Sequence, residues 1–161
     1  MSAVLLALGV LALLAWLVLR RRAVALPGEV VYRDGPGAET LVSRRHGVAG
    51  RPDYVTRERH GLVPVEVKSR SCGRRGPHDG ERAQVLVYCL LAEEGLGGPV
   101  SHGLLRYRDR SVVVPFGGRE RREITALLAE MGATREAHRS HQQAGRCRSC
   151  GFRGRCDEGL A

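Results

Sequence analysis

Residues 62–69, Leu-Val-Pro-Val-Glu-Val-Lys-Ser, decide the fold of this chain. Valine alternates here with Pro64, Glu66 and Lys68. A period of two predicts a β-strand with one buried face. Glu66 and Lys68 are two residues apart, so their side chains project from the same face of that strand. Pro64 cannot donate a ladder hydrogen bond, which predicts a position near the edge of a sheet or at the start of the strand.

A second carboxylate precedes this strand. Asp53 lies thirteen residues before Glu66, and residues 58–61 between them predict a tight hairpin turn. Such a hairpin brings the two carboxylates together, and their oxygens suit Mg²⁺ or Mn²⁺. A bound ion of this kind polarises a phosphoryl group and lowers the pKa of water, while the ammonium of Lys68 stabilises added negative charge. The three residues predict a site for phosphodiester hydrolysis.

The other segments complete one small core. Helices are expected at 81–91, extending toward Glu94, and at 119–132. The element order predicts an α/β fold, in which helices flank a mixed sheet. Strands are expected at 30–32, 41–43, 47–56, 102–107 and 111–116, and one face of the second helix carries Ile124, Leu127, Leu128 and Met131.

The first 22 residues differ from the rest. Residues 3–19 are almost all apolar, and three arginines follow at 20–22. Seventeen residues form roughly 25 Å of helix, within the range of membrane spans. Charge that follows the apolar run favours an uncleaved anchor over a secretory signal, and it places the remainder in the cytoplasm. We therefore expect a single-pass membrane protein with a linker at 23–29; a buried helix is the alternative.

Charge and composition favour an anionic partner. The net charge is +9, which is typical of proteins that bind nucleic acid or acidic lipid. Of the 26 basic residues, Lys68 is the single lysine. A position that keeps lysine in such an arginine-rich chain indicates a need for a compact ammonium group.

Three motifs carry a resemblance to a known family. Residues 50–53, Gly-Arg-Pro-Asp, resemble the G-x-P-D motif of RecB-like nucleases, and residues 64–68 resemble their P-x-E-x-K strand. Gln84 and Tyr88 share a helix face and resemble the Q-x-x-x-Y motif. From about residue 31 to 156, the chain is similar to the CRISPR-associated RecB-like exonucleases, the fourth Cas family, of the PD-(D/E)xK superfamily.

The resemblance implies an activity and a set of roles. It implies Mg²⁺- or Mn²⁺-dependent cleavage of DNA by an exonuclease or end-processing enzyme with a restriction-endonuclease-like core. Asp53 and Glu66 would bind the metal and Lys68 would complete the catalytic set. Gln84 and Tyr88 would support the site or contact the substrate.

The tail, residues 145–161, adds a fourth motif. Five cysteines are an odd number, and three of them cluster here, which indicates metal binding more than disulfides. The spacing of Cys147, Cys150 and Cys156, called the tail triplet below, resembles that of the family, where four cysteines hold a [4Fe–4S] cluster. Here the first of the four is missing.

Several residues are candidates for the fourth ligand. Cys72 follows the predicted catalytic strand and can complete a cluster, whereas Cys89 is expected in the core. His141 or His138 can instead complete a zinc site, and a tail without metal is the third alternative.

The membrane segment replaces the region where the family carries a metal-ligating histidine. His46, seven residues before Asp53, is the remaining candidate there. The domain prediction is an anchor at 1–22, a nuclease core at 30–144 and the tail. A protein partner or homo-oligomer can complete the core.

Three functions are consistent with these features. The first is a membrane-anchored, metal-dependent DNA nuclease. The second is a catalytically inactive, membrane-tethered nucleic-acid-binding or scaffold module. The third is a metal-binding or redox protein in which the cysteines carry the function.

Overall fold

The computed structural model describes residues 8–11, 13–14, 26–134, 138 and 142–160. Strands and helices alternate along the described chain in the order expected of an α/β protein. The strands are β1 (Glu29–Arg33), β2 (Leu41–Ser43), β3 (Val48–Gly50), β4 (Tyr54–Glu58), β5 (Gly61–Val67), β6 (His102–Arg106) and β7 (Ser111–Pro115). The helices are α1 (Asp79–Leu96), α2 (Gly118–Ala133), α3 (Ala144–Arg148) and a single 3-10 turn, Arg153–Arg155.

Five strands form one mixed sheet in the order β1-β4-β5-β6-β7. Only the β5–β6 pairing is parallel; β1–β4, β4–β5 and β6–β7 are antiparallel. Helix α1 connects the two parallel strands and packs against both, which forms a β-α-β unit. Strands β2 and β3 form a separate hairpin beside α1. The predicted mixed sheet flanked by helices is confirmed.

The predicted edge position of Pro64 is wrong, because β5 is the central strand. The N–H of Leu62 donates to the carbonyl of Pro99 at 2.8 Å, and the N–H of Lys68 also donates toward the β6 side. The nitrogen of Pro64 therefore points toward β6 as well. The β5–β6 ladder begins only at Val65. Proline occupies the gap before the ladder and removes no bond from it.

The predicted strand at 47–56 is two strands. β3 ends at Gly50 and β4 begins at Tyr54, and Pro52 lies between them, where it interrupts the ladder. A Cβ on Gly50 would lie 3.0 Å from the ring of Tyr88. Glycine therefore allows this hairpin to lie close against α1.

Helix α1 covers the sheet with a fully buried face. It begins at Asp79, two residues before the predicted start, and ends at Leu96, where the C-cap residue Gly97 has the left-handed conformation with φ 67°. Cys89 is buried in the core as expected. A Cβ on Gly103 of β6 would lie 2.4 Å from Val85, so glycine permits close packing of sheet and helix.

Helix α2 packs against the core through Ile124 and Leu128. Ile124 is buried and Leu128 lies against the core, but Leu127 and Met131 are exposed, so the predicted apolar face is only partly used. The carboxylate of Glu93 on α1 binds the guanidinium of Arg121 on α2.

Most of the predicted anchor lies outside the described residues. Residues 8–11 and 13–14 are helical, and their large side chains are exposed. Within the part of the chain that the structure describes, no helix combines the length and apolarity that a membrane crossing requires.

Candidate active site

Four predicted residues form one hydrogen-bonded cluster at the end of β5 and on the facing side of α1. Lys68 Nζ donates to Glu66 Oε1 at 2.8 Å and to Gln84 Oε1 at 2.9 Å. Gln84 Nε2 donates to Glu66 Oε1 at 3.0 Å and to the hydroxyl of Tyr88 at 3.0 Å. The amide of Gln84 thus uses both ends, which fixes its orientation and links strand to helix.

Asp53 joins this cluster from the start of β4. Its Oδ2 accepts a hydrogen bond of 2.7 Å from the backbone N–H of Val67, beside Glu66. The negative charges of Asp53 and Glu66 both act on Tyr88, whose pKa is raised by burial first and by these two carboxylates in addition. The structure therefore brings together all five residues that the motifs singled out at this site.

Glu66 is a buried carboxylate, with 9 % of its surface exposed. Burial raises its pKa above the ordinary value of 4.5, and the charge of Asp53 raises it further. The hydrogen bonds from Lys68 and Gln84 and the charge of Lys68 act in the opposite direction. The site therefore holds two carboxylates that repel each other, with one ammonium group beside them.

The donor set fits a hard divalent cation. Among the described residues, no hydrogen bond reaches Oδ1 of Asp53 or Oε2 of Glu66. Open carboxylate oxygens near a second negative charge are the ligands that Mg²⁺ and Mn²⁺ prefer. The pair is not joined by a third ligand: within the described ranges, no group of three or more His, Cys, Asp or Glu side chains could hold a metal ion.

The sequence motifs did not identify Glu81, which anchors the loop after β5. Its Oε2 accepts hydrogen bonds from Arg70 at 2.8 Å, from the hydroxyl of Tyr107 at 2.8 Å and from the N–H of His78 at 3.1 Å. A glutamate three residues after the helix N-cap is the available sequence indication, because it is typical of a capping box. Glu81 fixes the start of α1 one turn before Gln84.

The candidate ligands outside this cluster lie elsewhere. His46 is in the β2–β3 turn, where its Nε2 lies 3.6 Å from Glu94 Oε1. The Nδ1 of His138 is 2.7 Å from Glu158 Oε1. His141 lies outside the described residues. These contacts give His46 and His138 carboxylate partners and do not place them at the Asp53–Glu66 pair.

The cysteines are all free thiols. In the tail triplet Cys147 is buried, whereas Cys150 and Cys156 are exposed. Cys72 is buried in the loop after β5, where its N–H donates to Asp109 Oδ1 at 2.7 Å. In the described part of the chain these cysteines are not grouped as metal ligands, so the structure does not support the predicted Fe–S or zinc site.

A mixed sheet that carries Asp, Glu and Lys at the end of its central strand is typical of a class of nucleases that hydrolyse phosphodiester bonds. The sequence model of the PD-(D/E)XK nuclease superfamily matches residues 10–157. The chain belongs to this superfamily. The crystal structure of SSO0001 is similar, with a TM-score of 0.48 and 22% sequence identity, and the match covers 99% of this chain and 72% of that chain. Among curated proteins, none matches the chain significantly.

Proposed function

We propose that this protein is a membrane-anchored, Mg²⁺- or Mn²⁺-dependent deoxyribonuclease that acts at DNA ends. The observation that carries the proposal is the cluster of Asp53, Glu66, Lys68, Gln84 and Tyr88. Its side chains are held by direct hydrogen bonds, so they are oriented before any substrate binds. The order of the motifs further supports a place in the RecB-like group of the superfamily.

Each residue has a part that its position allows. Asp53 and Glu66 would hold the metal ion, which when bound polarises the phosphoryl group and activates water. Lys68 Nζ donates two hydrogen bonds, and its third hydrogen has no acceptor among the described residues. That hydrogen can be donated to a phosphate oxygen as negative charge develops. Gln84 bonds to both the ammonium of Lys68 and the carboxylate of Glu66, and it therefore fixes the positions of these two groups relative to each other.

Positive charge near the cluster supports nucleic acid as the substrate. Two grooves adjoin the end of β5, and Arg33, Arg106 and Arg108 line them. Among the described residues that line these grooves, Asp34 is the acidic residue besides Asp53, and it is paired with Arg51. Arginines around a metal-binding carboxylate pair favour a polyanion such as DNA.

The amino-terminal segment supports attachment to a membrane. The helical residues Leu8, Val10, Leu11, Leu13 and Leu14 are each more than half exposed. Water-exposed leucine at such density is unfavourable, whereas a lipid environment stabilises it. Three arginines follow this segment, which favours a cytoplasmic position for the nuclease core.

The missing third ligand favours a second candidate, a binding module without catalysis. Asp53 and Glu66 form only a pair in the described chain. Against this candidate, an inactive protein has no need for two carboxylates held close together at a cost in electrostatic energy. A protein partner or a second copy of this chain that supplies the third metal ligand would make the site of Asp53 and Glu66 compatible with catalysis.

Cleavage by the full chain tests the proposal. The protein is purified in detergent and incubated with end-labelled single- and double-stranded DNA and Mn²⁺, beside Glu66→Ala and Lys68→Ala. We expect cleavage by the wild type that requires the metal and is lost in both variants. Arg59→Ala is the matched control, because Arg59 lies in the β4–β5 turn at the opposite end of the sheet.

Equal cleavage by all four proteins would identify a contaminating nuclease. No cleavage by folded wild-type protein that binds DNA would favour the binding module. RNA of the same sequence, cleaved faster than DNA, would replace the proposed substrate.

A further inference from the structure

The two grooves at the end of β5 adjoin each other, because Tyr54, Val67 and Ser69 line both. The first has a volume of about 430 Å³ and is lined by Leu26, Tyr54, Val67, Ser69, Arg106 and Arg108, among others. The second contains Asp53 and shares Tyr54, Val67 and Ser69 with the first. The first groove therefore lies directly beside the groove that contains Asp53, a proposed metal ligand.

Tyr54 and Val67 of the first groove lie on the sheet face opposite Glu66, whereas Lys68 of the catalytic cluster also lines this groove. Val67 alternates with Glu66 and Lys68 along the strand, so its side chain points to the other face. Tyr54 pairs with Val65 in the β4–β5 ladder and therefore shares the face of Val67. The first groove therefore lies at the end of β5, where residues from both faces of the sheet line it.

The first groove is lined by both apolar and positively charged side chains. Leu26, Val67 and the ring of Tyr54 contribute an apolar floor, with Arg106 and Arg108 beside them. The guanidinium carbon of Arg33 lies 5.8 Å from the ring centroid of Tyr54, a cation–π contact that limits the orientations of the ring. An aromatic floor with arginines beside it matches a nucleotide, which has a flat base and flanking phosphates.

We propose that the first groove binds one unpaired nucleobase, stacked on Tyr54, from the strand whose neighbouring phosphate lies at Asp53, Glu66 and Lys68. This inference rests on the proposed function, because it assumes a nucleic-acid substrate. A base inside a duplex is paired and stacked and cannot enter a groove of this kind unless it is extruded. The pocket therefore selects DNA with an unpaired end.

Substitutions in the protein, combined with base removal in the DNA, test this pocket. The full chain in detergent, with Ca²⁺ to separate binding from cleavage, is titrated with a fluorescent duplex that carries a three-nucleotide overhang. Each matched duplex carries a single abasic site at one of the overhang positions, and the set is made with the overhang at the 5′ end and at the 3′ end. A blunt duplex is the baseline. The proteins are wild type, Tyr54→Ala, Tyr54→Phe and the Arg59→Ala control.

We expect one abasic position to weaken binding by wild type about tenfold, since stacking on an aromatic residue has an effect of this order. Tyr54→Ala should bind the intact overhang about tenfold less tightly and should be indifferent to that abasic site. Tyr54→Phe retains the ring and should behave as wild type. Blunt duplex should bind equally to all four proteins.

An equal loss at the abasic site in wild type and Tyr54→Ala would overturn the inference, as would equal binding of intact DNA by both. Absence of DNA binding by wild type would overturn it too. Cleavage is measured separately. If the wild type cleaves DNA but Tyr54→Ala binds DNA as the wild type does, the proposed pocket is wrong and the proposed function stands. If the wild type does not cleave DNA but the expected effects of Tyr54→Ala and of the abasic site on binding are observed, the pocket stands and the proposed function does not.

Discussion

The end of β5 and the tail triplet differ in how their residues are held. Both were identified from spacing in the sequence, and both contain metal-binding residue types. At the end of β5, the side chains of Glu66, Lys68, Gln84 and Tyr88 form one hydrogen-bonded cluster, and Asp53 is held beside it by the backbone N–H of Val67. In the tail, one cysteine is buried and two are exposed.

The difference follows from the elements that carry the residues. Spacing along a strand or helix fixes direction as well as distance, so Glu66 and Lys68, or Gln84 and Tyr88, must share a face. The cysteines lie around a five-residue helix and a single 3-10 turn. Such short elements leave relative directions to be set by other contacts. Sequence spacing is therefore more informative at β5 than in the tail.

The largest expected effect is at Lys68. Lys68→Arg keeps the charge but cannot place a compact ammonium between Glu66 and Gln84. We expect cleavage to fall by about 10²–10³-fold, the range for loss of one group that stabilises the transition state. Single-turnover rates with saturating DNA measure it. Full activity in this variant would show that charge alone is required and that the cluster geometry is not.

A smaller effect is expected at Gln84, which contacts the catalytic groups without being one of them. Gln84→Leu keeps nearly the same side-chain size but removes the hydrogen-bond acceptor for Lys68 and the hydrogen-bond donor to Glu66. Loss of such supporting hydrogen bonds typically lowers activity by about 10–100-fold. Gln84→Glu restores the acceptor for Lys68 but adds a third negative charge. An unchanged Mn²⁺ affinity in Gln84→Glu would contradict the position of Gln84 directly beside the carboxylate of Glu66.

Glu66 should give metal binding a distinctive pH dependence. Burial first, and then the charge of Asp53, raise its pKa above 4.5, so protons compete with Mn²⁺ at a higher pH than for an exposed glutamate. Because folding favours the neutral form, the contribution of Glu66 to stability is present below 4.5 and is lost as pH rises through its raised pKa.

Lys68→Met should move the midpoint of Mn²⁺ binding to higher pH, because Lys68 lowers the pKa of Glu66. Calorimetric titrations between pH 4 and 8 measure the shift. A midpoint that is the same in wild type and variant would mean that another group controls binding.

The smallest effect is expected in the tail. Cys150→Ser with Cys156→Ser changes two exposed thiols, so cleavage and thermal stability should stay within about twofold and about 0.5 kcal/mol of wild type. Spectra and metal analysis of protein purified without oxygen sharpen the comparison. A broad band near 400 nm, or stoichiometric zinc, that disappears in the double variant would show that the tail assembles a metal site after all.

The sequence predicted the elements that set the site, because local rules determine them. The alternation in residues 62–69, the hairpin turn at 58–61 and the one-turn spacing of Gln84 and Tyr88 all act over short distances. These were sufficient to place Glu66, Lys68 and the helix face correctly.

Other features depended on contacts that spacing does not encode. The central position of β5 required knowledge of where the ladder with β6 begins. The role of Glu81 depends on Arg70 and Tyr107, which come from distant parts of the chain. The exposure of Leu127 and Met131 depends on where α2 leaves α1. Tertiary packing decides such features.

The bond from the Val67 N–H to Asp53 has a practical consequence for trapping complexes. This carboxylate accepts a hydrogen bond from the backbone of β5 as well as facing the site. Removing the side chain with alanine would release the end of β5 and would also remove the proposed metal ligand. Asp53→Asn keeps an oxygen for the Val67 N–H and removes only the charge. It is the variant best suited to capture this protein on its proposed substrate, an uncut DNA strand.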